Sequence, residues 1–188
     1  MTQRRRVPPD EWQYGERSAD HVRATLLALA SDFVADARRC AGVQRIALLG
    51  SILTTKPRPK DVDLLVSIAP TVDMAQLAKL GRRLKGSAQA QLNSGADVFL
   101  ADDAGRYLGR VCHYRECHPR VLCRARHCGA VLHLADDLDV VCLDTTLIAA
   151  PPVELWPALV ARVPVPDDVE RLLLTSIRQS MTHAGASA

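Results

Sequence analysis

The chain has few aromatic residues, no long apolar run and little excess charge of either sign. Aromatics make up 4% of the sequence. A packed interior must therefore rest on Leu, Val, Ile and Ala, and base stacking is a poor basis for recognition. No apolar stretch is long enough to span a bilayer. The basic run Arg4-Arg5-Arg6 is not followed by the apolar segment of a signal peptide. These absences lead to the expectation of a cytoplasmic protein with no membrane partner. Lys and Arg number 24 against 21 Asp and Glu, a net charge of +3. That balance permits an anionic ligand without demanding nucleic acid. No internal repeat is visible.

What is present is an ordinary globular mixture: 188 residues, 48% hydrophobic and 24% charged. This suggests one domain with modest appendages. Residues 1–17 hold Pro8-Pro9 and charges without periodicity, and read as a flexible arm. Ser18 can cap a helix with Asp20 in its first turn and Val22, Leu26, Leu29 and Phe33 on one face, ending near Gly42. Arg45 to Leu49 reads as a buried strand closed by Gly50. Pro57 and Pro59 exclude a long helix over 51–60, leaving one helical turn from Ser51 and a loop. Asp61 to Ile68 is a second strand. A helix from Thr71 carries Met74, Leu77 and Leu84, with Gly81 and Gly86 expected to weaken it. Asp97 to Leu100 is a third strand. Residues 104–135 change character, being rich in Cys, His and Arg. Val140 to Leu143 can return to the sheet, and Val153 to Val163 reads as a short helix interrupted at Pro157. A last helix follows Pro166, with Asp167 and Asp168 at its positive end and Val169, Leu172, Leu173 and Ile177 on its apolar face. The expected fold is α/β (α+β): a small mixed sheet flanked by helices, with a core over 18–103, a Cys/His-rich segment over 104–135, and C-terminal elements over 136–188 packing on the core.

The chemistry concentrates at the second strand. Side chains alternate along a strand, so Asp61 and Asp63 share one face while Val62, Leu64 and Val66 point into the core. Paired carboxylates repel, and a divalent cation such as Mg2+ removes that cost. Asp97 is either a third carboxylate converging on the pair, enough for a two-metal site, or a plain strand-start residue. Gly50 lets the backbone approach a ligand closely, and the Ser51 hydroxyl can donate to a phosphate oxygen. Lys56, Arg58 and Lys60 lie in the intervening loop, where they either counter a triphosphate or stand solvated.

Leu48-Leu49-Gly50-Ser51, a gap of about ten residues, and Asp61-Val62-Asp63-Leu64-Leu65-Val66 together resemble the DNA polymerase β-like nucleotidyltransferase superfamily. Ala96-Asp97-Val98-Phe99-Leu100 is similar to that family's third-carboxylate strand. The compact size resembles its minimal members, some of which belong to toxin–antitoxin pairs. The resemblance covers roughly residues 20–101. It departs at Thr54-Thr55, where many minimal members have glycine, and at Lys60, where they have serine. It implies a fold, a site and a reaction. Asp61 and Asp63 would bind Mg2+ holding a nucleoside triphosphate, and Asp97 would complete the metal site and help deprotonate the acceptor. Gly50 and Ser51 would contact the phosphates; Lys60, from the charge of the loop and not from the resemblance, is a further candidate contact to the nucleotide. The reaction would be attack of a hydroxyl, on a small molecule, RNA or protein, at the α-phosphate, with pyrophosphate leaving.

The remaining signal is Cys112-x4-Cys117-x5-Cys123-x4-Cys128, with His113, His118 and His127 interleaved. Zinc takes four such ligands and can fold a segment poor in apolar surface; small buried thiols explain the same residues equally well. Five arginines between Arg110 and Arg126 either form a nucleic-acid surface or are solvated. Asp136, Asp137 and Asp139 read as a turn or cap. Two functions follow: a Mg2+-dependent nucleotidyltransferase, or a non-catalytic, zinc-stabilised binding or regulatory module retaining that fold.

Overall fold

The computed structural model describes residues 18–114, 131–136, 147 and 149–185. Ser18 opens the first helix, α1 (Ala19–Ala37), its side chain accepting a hydrogen bond from the His21 N–H at 3.2 Å. The chain then forms β1 (Val43–Leu49), a single 3₁₀ turn at Ser51–Leu53, and β2 (Asp61–Ile68). Helix α2 (Met74–Leu92) and β3 (Gly95–Ala101) follow. Next come β4 (Tyr107–Val111), β5 (Leu134–Ala135) and β6 (Val153–Trp156). A π-helical turn at Val169–Leu174 leads into α3 (Thr175–Gly185). The result is a mixed α+β fold in which the six strands among the described residues lie in the order β5-β4-β3-β2-β1-β6.

Among the described residues only β2 and β3 run parallel; the other neighbours are antiparallel. A parallel pair needs a crossover connection, which α2 supplies. The period-two pattern of the strands decides what each face does. Ile46, Leu48, Val62, Leu64, Val66, Leu100 and Leu155 are all completely buried and join Leu26, Leu27, Ala30 and Leu77 of the helices in one core. Burying a Leu, Ile or Val side chain contributes about 1.5–3 kcal/mol, so this face holds the sheet and helices together. The alternate residues, Asp61, Asp63, Leu65, Asp97 and Phe99, fall on the opposite face.

Several expectations are corrected. The second helix starts after Asp73, not at Thr71, because the Asp73 side chain caps it by accepting from the Gln76 N–H at 3.0 Å. It runs unbroken through Gly81 and Gly86 to a left-handed Asn93. Gly81 sits where α2 touches the sheet: a Cβ there would come within 3.1 Å of Val111 Cγ1. Gly86 is exposed, and a Cβ there would meet nothing within 4 Å. Gly86→Ala is therefore expected to raise stability by about 0.5–1 kcal/mol through the lost backbone entropy of glycine, read as a higher midpoint in urea unfolding.

Val153–Trp156 is a strand, not a helix. Val153 and Leu155 alternate into the core while Glu154 and Trp156 alternate out, and β6 pairs with β1 at the sheet edge. Pro157 lies just past the strand end, where no ladder donor is lost. Two stretches of the Cys/His-rich segment, Tyr107–Val111 and Leu134–Ala135, extend the main sheet instead of standing apart from it. The expected last helix is present: Val169, Leu173, Leu174 and Ile177 are buried in the core. The expected arm over 1–17 and the strand over Val140 to Leu143 lie outside the described residues. Among the described residues, no helix is long and apolar enough to cross a membrane.

Candidate functional site

The turn after β1 is built around Gly50. Its φ of +80° is a conformation that side chains rarely adopt, and it lets the chain turn sharply into Ser51–Leu53. Space demands glycine independently, since a Cβ at residue 50 would stand 2.6 Å from Asp63 Oδ2. Ser51 is buried, and its carbonyl accepts from the Thr54 N–H at 3.1 Å and the Thr54 hydroxyl at 2.7 Å. Thr54 thus closes the turn with its own hydroxyl. Gly50→Ala should both strain the backbone and displace the Asp63 carboxylate. Forcing an L-residue to positive φ alone costs roughly 1–2 kcal/mol, so a lowered unfolding midpoint is the expected result.

Asp63 pairs in register with Leu49 on one side and Asp97 on the other. Asp61 pairs with Gly95, which has no side chain of its own to set beside it. Neighbouring strands lie about 4.8 Å apart, so the parallel pairing sets Asp63 directly beside Asp97, with Asp61 one pleat along. Asp63 is 7% exposed. Neighbouring carboxylates repel each other, and positive charge nearby offsets that repulsion.

Lys85 and Arg110 supply that charge at Asp97, and the His113 ring nitrogen lies beside them. Lys85 of α2 approaches Asp97 Oδ1 at 3.4 Å, Arg110 of β4 Oδ2 at 3.3 Å, and His113 Oδ1 at 3.5 Å. Lys85 Nζ and His113 Nε2 are 2.9 Å apart. Arg110 also lies over the Phe99 ring, 5.8 Å from its centroid. Asp61 and Asp63 suit a hard divalent cation, which takes one or two carboxylates and fills its other positions with phosphate oxygens and water. The third expected ligand, Asp97, is oriented by cationic side chains. Among the described residues, no group of three or more His, Cys, Asp or Glu side chains is gathered closely enough to hold a metal ion.

Sequence reasoning missed Arg23. It projects from α1 and is buried, its guanidinium donating to Ile52 O and Lys56 O at 2.8 Å each. It also forks onto Asp168, with contacts of 2.5 and 3.0 Å. One side chain thus ties the Gly-Ser turn and its loop to the start of the C-terminal helical segment. Burial pushes the Asp168 carboxyl up, but the hydrogen bond and charge of Arg23, with the Val169 N–H, outweigh this and hold it below its ordinary value. The available signal was position: Arg23 stands three and four residues before Leu26 and Leu27, hence on the buried face of α1.

Lys56, Arg58 and Lys60 are exposed; the Lys60 carbonyl accepts from the Gly95 N–H at 2.9 Å, continuing the β2–β3 ladder. Beyond the acidic end, the same sheet face forms an apolar cavity of about 540 Å³ lined by Leu49, Leu65, Phe99, Tyr107 and Pro151 among others. Cys112 is buried, and its N–H donates to His133 O at 2.7 Å. Cys117, Cys123 and Cys128, with His118 and His127, lie outside the described residues.

The fold and this face define a two-layer α+β domain that presents neighbouring carboxylates from a parallel strand pair. The chain belongs to DUF6932, a family of unknown function, whose match spans residues 13–116, more than half of its length. No curated protein and no solved structure matches it.

Proposed function

We propose that this protein is a nucleotidyltransferase-like enzyme that moves a nucleoside monophosphate from a nucleoside triphosphate to a hydroxyl acceptor. The observation that carries the reading is the register of β2: Asp63 lies beside Asp97 on one strand and against the Gly50 backbone at the end of another. The sequence pattern across Gly50-Ser51 and Asp61-Val62-Asp63 supports it from an independent direction. In this reading Asp61 and Asp63 would hold Mg2+, and Asp97 would complete the metal site and take the acceptor proton. Gly50 and Ser51 bring backbone and hydroxyl against the phosphates, and Lys60 adds charge at the loop. A Mg2+ ion bound there would supply Lewis-acid polarisation of the phosphate and stabilise charge on the leaving pyrophosphate. The chain's own part is to hold the carboxylates on one face at fixed spacing and to keep the turn at Gly50 open.

The test is incubation of the full chain with α-labelled nucleoside triphosphates, Mg2+ and pooled small-molecule, RNA and protein acceptors. Label covalently attached to one acceptor, with pyrophosphate released, is the expected result. Absence of label transfer together with absence of nucleotide binding by calorimetry would overturn the reading.

A further inference from the structure

Two residues along from Asp63 and from Asp97, the same sheet face turns apolar. Leu65 follows Asp63 and Phe99 follows Asp97 at the period-two spacing of one strand face, and Leu49 is the register partner of Asp63. All three line the cavity of about 540 Å³. Two residues of strand span about 7 Å, so the cavity begins that far from the carboxylate row. Ala150, Pro151 and Pro152, on the run into β6, line it as well. Proline carries no N–H, so that side offers few donors to an occupant. Among the described residues no charged side chain lines the cavity. The Phe99 ring is packed on neighbours of its own, the Tyr107 ring at 6.3 Å between centroids and the Arg110 guanidinium at 5.8 Å. Its aromatic surface is therefore in place before anything binds.

Small-molecule sites have volumes of about 300–1,000 Å³, and this cavity falls within that range. Its uncharged lining gives nothing to the phosphates of a nucleic acid, whose binding rests on Lys and Arg. A polypeptide laid in it would bring backbone N–H and C=O groups that aliphatic and proline walls leave without partners. At the carboxylate end an anionic head is repelled, whereas a hydroxyl can donate to a carboxylate oxygen. We propose that the cavity holds the apolar body of a small alcohol whose hydroxyl lies at the Asp63–Asp97 end. In the nucleotidyl-transfer reading this ligand is the acceptor, which narrows that class to an apolar small-molecule alcohol. The acceptor role rests on the transfer reading; the binding site itself does not.

Calorimetric titration of the full chain with butan-1-ol, hexan-1-ol and octan-1-ol, in EDTA and without nucleotide, tests the site. Saturable binding is expected, with affinity rising about fourfold per methylene, the gain for burying one CH₂. Octanoate, of the same chain length with an anionic head, should bind more weakly than octan-1-ol. Leu65→Trp fills the cavity from the sheet and Ala150→Trp from the run into β6. Each should abolish octan-1-ol binding while the protein still melts cooperatively. Ala150 lies outside the strands, so its variant tests the cavity even where Leu65→Trp fails to fold. Three results would each overturn the proposal: no gain with chain length, octanoate binding as tightly as octan-1-ol, or unchanged octan-1-ol affinity in folded Ala150→Trp. Binding in EDTA needs neither Mg2+ nor nucleotide, so the two readings fail separately. Octan-1-ol binding with no label transfer to any acceptor overturns the transfer reading and leaves the ligand site standing.

Discussion

Arg23→Ala is expected to destabilise the protein more than any surface substitution. The side chain is 8% exposed and its partner carboxylate 24%, so truncation strands Asp168 and leaves two carbonyls, of Ile52 and Lys56, without their donor. Breaking a buried pair by removing one partner costs about 3–5 kcal/mol. For a chain of this length each kcal/mol moves the melting temperature by about 2–4 °C, so the loss should be plain in a thermal melt. Arg23→Lys keeps the charge but not the planar fork and should recover only part of it. Arg23→Ala combined with Asp168→Ala should cost less than the sum of the two, since the second removes a charge already stranded. A double mutant that is simply additive would show that the pair does not act as a unit. The pH dependence has a definite sign. Asp168 is held below its ordinary value in the folded protein. Its contribution is thus present above about pH 4 and is lost as pH falls through the depressed folded value. The acid limb of the melting curve should flatten in Arg23→Ala.

Asp63→Asn is expected to have the largest effect on catalysis. The amide preserves shape beside Gly50 but removes the charge that the proposed metal requires. Deleting one such electrostatic contact typically costs about 10²–10³ in kcat, and label transfer should fall at least that far. The melting temperature should stay within about 4 °C of wild type, because the swap is nearly isosteric and changes stability by about 1 kcal/mol. Unchanged turnover in Asp63→Asn would remove Asp63 from the metal site. A collapse of the melting temperature would instead assign it a structural role at the turn.

The parts of the molecule legible in the sequence are those where local pattern and tertiary role agree. Alternation along Asp61 to Ile68 places the carboxylates on one face, and β2 does so. Gly50 after an apolar run reads as a strand end, and it has the positive φ such a turn requires. Ser18 and Asp168 read as helix starts, and both accept a hydrogen bond from a backbone N–H of the helical segment they open. The illegible parts depend on partners distant in the chain. Val153–Trp156 is too short to show its period, and its strand character comes from pairing with β1. Tyr107–Val111 carries Gly109 and Arg110 amid a basic stretch, and is a strand because β3 offers it an edge. Arg23 looks like an ordinary surface arginine until Asp168 is brought to it across 145 residues. Around Asp97 the carboxylate was visible, but its nitrogen-bearing neighbours were not, because Lys85, Arg110 and His113 come from different parts of the chain.

The outer edge of β1 is sealed by a strand that the chain reaches only at Val153. Synthesis proceeds at about 5–20 residues per second, so β1 emerges roughly 5–20 s before its partner. Through that interval its edge is open to pairing with another chain, and Arg23 has not yet met Asp168. The stretch that defines family membership, residues 13–116, includes β1 but neither β6 nor Asp168. The matched stretch therefore leaves out both the strand that covers the edge of β1 and the carboxylate that pairs with Arg23. A fragment ending at residue 116 should aggregate or bind chaperones where the full chain does not.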